Sequence, residues 1–178
     1  MTLILEKLYK LVYNGLNYAE KLMMKFQETE KIELIEKLTD SIIKEIVAFL
    51  NTFDGVIYIG VKDGGEIIGV ENLDEVQKQL SDIITTQILP NPQEFIELGS
   101  VFIDGKNVVK ISVKKGNALY YIKKYGRSGS GCYIRVGTTC RSMTEEQIEK
   151  LYKSSIYLNE TSIIEIENYN QELSFSMI

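Results

Sequence analysis

The sequence predicts an α+β domain: a mixed, largely antiparallel β-sheet with flanking helices. Three observations carry this. First, Ile42, Ile43, Ile46, Val47, Phe49 and Leu50 recur at helical spacing, and the nearly unbroken β-branched and aromatic run Val56-Ile57-Tyr58-Ile59 follows between glycines. Second, Asp63-Gly64 and Asp104-Gly105 each separate two apolar runs, as hairpin turns do. Third, a second helical stripe (Val76, Leu80, Ile83, Ile84, Ile88) lies between the two hairpins.

Taken in order, residues 3–13 read as a short amphipathic helix with Leu5, Leu8, Leu11 and Val12 on one side, closed by Asn14-Gly15, and residues 17–26 as a second helix. This extension, residues 1–27, would cover an apolar surface of the domain or of a partner subunit, so a homodimer is left open. Its charges Glu6, Lys7, Lys10, Glu20, Lys21 and Lys25 keep it below the apolar length of a membrane span, and it lacks the order of a signal peptide. The main domain, residues 28–153, begins with an imperfectly alternating run, Lys31 to Lys37, read as a strand. In such a strand Glu33, Ile35 and Lys37 share one face and Leu34 and Glu36 the other.

Thr39 or Asp40 is the expected cap of the first long helix, which ends near Asn51; the Asn51 amide is expected to bond backbone at the turn into Gly55. Ala48, Phe49 and the strand from Val56 to Ile59 should be core. The Asp63-Gly64 turn should lead into a paired strand, Glu66 to Val70, making a two-stranded centre. Asp74 is the expected cap of the next helix, and Pro90-Asn91-Pro92 stops it. Strands follow around Phe95 to Phe102, Val108 to Val113, Tyr120 to Ile122 and Cys132 to Val136. Thr144-Glu145-Glu146-Gln147 is a capping box opening a last helix to about Lys153. Residues 154–178 form an acidic, partly apolar C-terminal extension without a core pattern.

The chain's 178 residues and 44% hydrophobic content suffice for one core. The absence of histidine excludes every mechanism that needs imidazole as base, triad member or metal ligand. Cys132 and Cys140, without histidine or further cysteine partners, indicate neither a disulfide framework nor a zinc site, and fit a reduced, cytoplasmic compartment. A net charge of -5 argues against coating nucleic acid through bulk charge. The distribution of charge says something different. From Gly105 to Thr144 there is no Asp or Glu, while Lys106, Lys110, Lys114, Lys115, Lys123, Lys124, Arg127, Arg135 and Arg141 all fall there, interleaved with Tyr120, Tyr121, Tyr125 and Tyr133. Cations for phosphates and aromatic rings for unstacked bases are what single-strand binding needs. Lys114, Lys115, Lys123, Lys124, Arg127, Arg135 and Arg141 are therefore the candidate nucleic-acid contacts. The loop Gly126 to Gly131 lacks the Gly-Lys-Ser/Thr ending of a phosphate-binding loop, and is read instead as a carrier for Arg127.

An ordered set of residues resembles the Schlafen AlbA-like domain: Glu28, Glu33-Leu34, Ala48-Phe49-Leu50-Asn51-Thr52, Gly55, Gly60-Val61-Lys62-Asp63, Gly105-Lys106, Tyr120-Tyr121, Tyr133-Ile134-Arg135-Val136-Gly137-Thr138 and Thr144-Glu145-Glu146. Two positions depart from the family pattern: Ile35 stands where a Lys is usual, and Asp54 where the first of two glycines is usual. The resemblance implies nucleic-acid binding, RNA or single strands ahead of duplex DNA. It also implies that Glu28, Glu33 and Asp63 correspond to the acidic triad of the ribonuclease-active Schlafen proteins. There, carboxylates would hold Mg²⁺ or Mn²⁺ and cleave tRNA-like RNA without any histidine. With Ile35 in place of a cation, weak or absent cleavage is expected. Because Glu28 and Glu33 are an odd number of residues apart, the chain must bend between them for a triad to form. The alternative is a non-catalytic DNA-binding transcriptional regulator or protein-interaction module.

Overall fold

The computed structural model describes residues 26–156, so the two expected N-terminal helices and most of the C-terminal extension lie outside the described residues. The chain runs β1 (Ile32–Ile35), α1 (Ile42–Thr52), β2 (Gly55–Ile59), α2 (Leu73–Gln87), β3 (Ile88–Leu89), a 3-10 turn (Gln93–Phe95), β4 (Ile96–Ile103), β5 (Lys106–Val113), β6 (Tyr121–Ile122), β7 (Tyr133–Val136) and β8 (Thr139–Ser142). A third helix, α3, spans 145–156. The main sheet has the order β1-β2-β5-β4; β1 pairs parallel with β2 and the other pairs are antiparallel, giving the mixed, largely antiparallel sheet expected. Two small antiparallel pairs, β3-β6 and β7-β8, stand apart from it.

Parallel neighbours need a crossover, and α1 is that crossover between β1 and β2. Alternation along the strands then sorts side chains onto two faces. Ile57, Ile59, Val109, Ile111 and Val113 pack with Ile42, Ile46, Phe49 and Leu50 of α1 and Leu80 and Ile84 of α2. Leu34, Tyr58 and Val108 point the other way and pack with Phe26, Val61, Ile67 and Ile103. Ala48, Phe49, Ile57 and Ile59 are fully buried, as expected, and Tyr58 nearly so, whereas Val56, also expected in the core, is half-buried against the second cluster. The fit between α1 and β2 leaves no room for a side chain at Gly55, where a Cβ would run into the Phe49 ring.

The central hairpin does not form as expected. Gly60, at φ +101°, turns the chain out of the sheet, and beyond it only Val61 and Ile67 bridge. The turn closes through Gly65 N–H donating to the Lys62 carbonyl at 2.7 Å, and Lys62 N–H donates to the Glu66 carbonyl at 3.0 Å. The segment after it donates to Gly60 and Asn107 instead of forming a strand, and the antiparallel partner of β2 is β5. The second hairpin is as expected: Asp104 and Gly105 carry φ of 50° and 76° between β4 and β5, the two positive values that a two-residue turn of this twist requires.

The caps divide. Thr144 N–H donates to the Gln147 side chain at 2.9 Å and Gln147 N–H to the Thr144 hydroxyl at 3.3 Å, so the capping box of α3 forms reciprocally. For α1 the N-cap is Ser41, with no side-chain cap bond, because its hydroxyl is engaged with Thr39 at 2.7 Å. For α2 the cap is Asn72, two residues before the expected Asp74, its side chain accepting from Glu75 N–H at 3.2 Å. Asp54 accepts from Lys115 N–H at 2.7 Å, tying the end of α1 to the end of β5.

Candidate functional site

A buried polar cluster lies where β1, α1 and the β7-β8 pair meet. The alternation of β1 turns Glu33 toward α1. There Glu45 occupies a polar position on an otherwise apolar stripe, three residues after Ile42 and four before Phe49. Between the two carboxylates sits Arg135 of β7. Its Nη1 donates to Glu33 Oε2 and to Glu45 Oε2, both at 2.7 Å, and Nη2 donates to the Thr138 carbonyl at 3.0 Å. The guanidinium lies 4.7 Å from the Phe49 ring centroid, a cation–π contact in the core. Its Nε is buried without a hydrogen-bond partner.

Two carboxylates share one cation here. Burial, followed by repulsion from Glu45, pushes Glu33 up to about 7 despite its hydrogen bond to Arg135, and Glu28 adds to the repulsion. Burial also raises Glu45 against the pull of Arg135. Cys140 of β8 donates to the Lys44 carbonyl at 3.6 Å, and burial together with the Glu45 charge pushes its thiol up to about 12. A thiol so held is protonated and inert as a nucleophile.

Asn51 anchors the same hairpin from the other end of α1. Its amide donates to the carbonyls of Tyr120 at 2.8 Å and Tyr133 at 3.0 Å and accepts from Tyr120 N–H at 2.8 Å. The expected bond to the Gly55 turn is not made; the buried amide bonds instead the backbone of Tyr120, just before β6, and of Tyr133 in β7. Thr52 Oγ1 accepts from Arg135 N–H at 3.0 Å.

The acidic residues singled out in the sequence separate into two places. The chain does bend between Glu28 and Glu33, through the reciprocal bonds of Thr29 and Ile32 at 3.1 and 3.3 Å, and the charge of Glu28 acts on both Glu33 and Glu45. Asp63 is exposed in the turn after β2, and is not among the charges acting on Glu33. Divalent Mg²⁺ or Mn²⁺ asks for several convergent oxygen ligands. Among the described residues no three His, Cys, Asp or Glu side chains come together to hold a metal ion, and Arg135 already engages Glu33 and Glu45. As placed, these residues do not fit a metal. Ile35, at the position where a Lys was expected, packs against the main core and lines an open groove beside Glu33 and Glu45.

The basic residues also divide. Arg135 is corrected from a surface phosphate contact to a buried ion-pair partner, 4% exposed. Lys114, Lys115, Lys123, Lys124, Arg127 and Arg141 are all exposed. They do not line a single groove: Lys124 borders one with Lys44 and Tyr125, Lys115 borders another with Asn117 and Leu151, and Arg127 lies 4.1 Å over the Tyr152 ring of α3. Of the interleaved tyrosines, Tyr120 is core and Tyr125 is exposed. The sequence reading missed Glu45, although a lone carboxylate inside an apolar helical stripe was a visible signal. It also missed Lys44, whose Nζ lies 5.6 Å from the Tyr133 ring.

This α+β fold is similar to that of the DIP2311 protein from Corynebacterium diphtheriae. The TM-score is 0.52 at 18% identity, over 68% of this chain and 23% of that one, so the chain spans under a quarter of that protein's length. The N-terminal domain of a putative ATP-dependent DNA helicase RecG-related protein from Nitrosomonas europaea matches over 72% of this chain and 95% of its own, at TM-score 0.47 and 18% identity. No curated protein matches. The family model described as Schlafen, AlbA_2 matches residues 28–144, and the chain belongs to that family.

Proposed function

We propose that this chain is a nucleic-acid-binding domain that takes RNA or other single strands through the exposed cations of the segment from Gly105 to Thr144. The observation that carries this reading is that the segment holds no acidic residue while Lys114, Lys115, Lys123, Lys124, Arg127 and Arg141 all stand exposed on it. Membership in the Schlafen AlbA_2 family supports a nucleic-acid-related role. Local potential, rather than the net charge of -5, governs phosphate contacts. No helix among the described residues is long and apolar enough to cross a membrane.

Replacing Lys114, Lys115, Lys123, Lys124 and Arg127 in pairs should weaken binding to every sequence. The log-log salt dependence should flatten by roughly one unit per lost phosphate contact. Unchanged affinity after all five are removed would refute the reading. Metal-dependent RNA cleavage through Glu28, Glu33 and Asp63, which the family resemblance implies, is a second reading that would require these carboxylates to leave the placement described above. The bend returns Glu28 toward Glu33, but Asp63 is exposed in the turn after β2 and Arg135 engages Glu33. Incubating labelled tRNA with and without Mn²⁺, with Glu33→Ala as control, separates the two. Binding without cleavage leaves the domain a binding module, and cleavage lost in Glu33→Ala restores the carboxylate site.

A further inference from the structure

The groove bounded by the first turn of α1, the last turn of α2 and the turn after β6 has a volume of about 490 Å³, within the roughly 300–1,000 Å³ range of small-ligand clefts. Its floor is apolar, with Ile43 and Ile122 at 6% and 4% exposure. Its rim carries Lys44, Lys124, Gln87, Asp40 and the ring of Tyr125, which is 47% exposed. Neither lysine has a carboxylate partner among the described residues: Lys124 Nζ lies 5.2 Å from the Tyr125 centroid and Lys44 Nζ 5.6 Å from that of Tyr133. The walls are fixed rather than loose. Lys123 N–H donates to the Gln87 carbonyl at 2.8 Å, Ile88 pairs with Ile122, and the Tyr125 turn is closed by its N–H donating to the Ile122 carbonyl at 3.0 Å.

We propose that this groove is a subsite for one unpaired nucleotide of a single strand, with the base stacked on Tyr125 and the flanking phosphates held by Lys44 and Lys124. The inference rests on the nucleic-acid reading above and specifies the ligand at one place on that surface. A half-exposed aromatic ring with one ammonium group over one face and a second on the same groove rim, neither ion-paired to a carboxylate, offers its other face for stacking with phosphate contacts nearby. The apolar floor accepts a base face. The Gln87 amide and the Asp40 carboxylate, which form no hydrogen bond through their side chains among the described residues, match the donors and acceptors of a base edge or a 2′-hydroxyl. Asp40 also disfavours a run of phosphates along that wall, which limits the groove to a single nucleotide. A base paired within a duplex has no free face to offer.

The test uses the full chain and a labelled oligouridine about twelve nucleotides long, with its duplex counterpart, read by fluorescence anisotropy at fixed salt. Tyr125→Ala should weaken single-strand binding about tenfold and leave duplex binding unchanged, while Tyr125→Phe should bind as the parent does. An unchanged urea midpoint is expected for Tyr125→Ala, because the ring packs in none of the cores. Parent-like single-strand affinity in Tyr125→Ala overturns the subsite and leaves the nucleic-acid reading standing. Parent protein that binds neither strand nor duplex overturns both. Displacement of the oligouridine by polyglutamate as readily as by unlabelled RNA overturns the subsite in favour of a general anion surface.

Discussion

Burial of Glu33 beside Glu45, only partly offset by the shared Arg135, makes the stability of the fold depend on pH in an unusual direction. Glu33 is raised from 4.5 to about 7, so between those values the native state holds a proton that the unfolded chain has released. Stability from this group is therefore fully present below the unfolded value and is lost as pH rises through the folded one. A shift of this size corresponds to about 3 kcal/mol at about 1.4 kcal/mol per unit. Partial solvent contact of Glu33 reduces this to about 1–2 kcal/mol. Glu45 is raised too and contributes with the same sign. Glu33→Gln keeps an acceptor for Arg135 and removes both the titration and the repulsion on Glu45. In urea unfolding at pH 5 and pH 8, the parent should lose about 1–2 kcal/mol more than the variant over this interval. Above pH 7.5 the variant should equal or exceed the parent. A parent whose stability rises over the same interval relative to Glu33→Gln would show that Arg135 fully compensates both carboxylates, and would refute the argument.

The remaining expectations concern packing and the hairpin clamp. Phe49→Ala removes a fully buried ring that packs in the main core and supports the Arg135 guanidinium, and should cost about 3–5 kcal/mol in urea unfolding. Asn51→Leu leaves the Tyr120 N–H without its partner and frees the carbonyls of Tyr120 and Tyr133, so a loss of about 2–4 kcal/mol is expected, with accelerated hydrogen exchange at Tyr120; slow exchange there would contradict the clamp. Gly55→Ala should lower the urea midpoint more than Gly105→Ala does, because at Gly55 the added Cβ would run into the buried Phe49 ring, whereas at Gly105 it meets nothing and costs only the backbone strain of a positive φ. Thr144→Ala should cost about 1 kcal/mol through the lost cap of α3.

What the sequence determined by itself was local. The α1 stripe, the β2 run, the Asp104-Gly105 turn and the capping box of α3 each depend on residues a few positions apart, so spacing and side-chain chemistry were enough to place them. The alternation that puts Glu33 and Ile35 on one face of β1 and Leu34 on the other was legible for the same reason. The expected cap of α2 missed by two residues, because Asn72, like Asp74, can accept from a first-turn amide. Tertiary structure decided which strand lies beside β2, because the positive φ of Gly60 diverts the chain and leaves that edge to β5. It also decided the fate of the charges. Arg135 lies 102 residues from Glu33 and 90 from Glu45, and Asn51 lies 69 and 82 residues from the two carbonyls it bonds. No spacing rule reaches that far. An arginine in a basic stretch reads as a surface cation until folding buries it, and burial then makes two carboxylates, rather than phosphate, its nearest counter-charge.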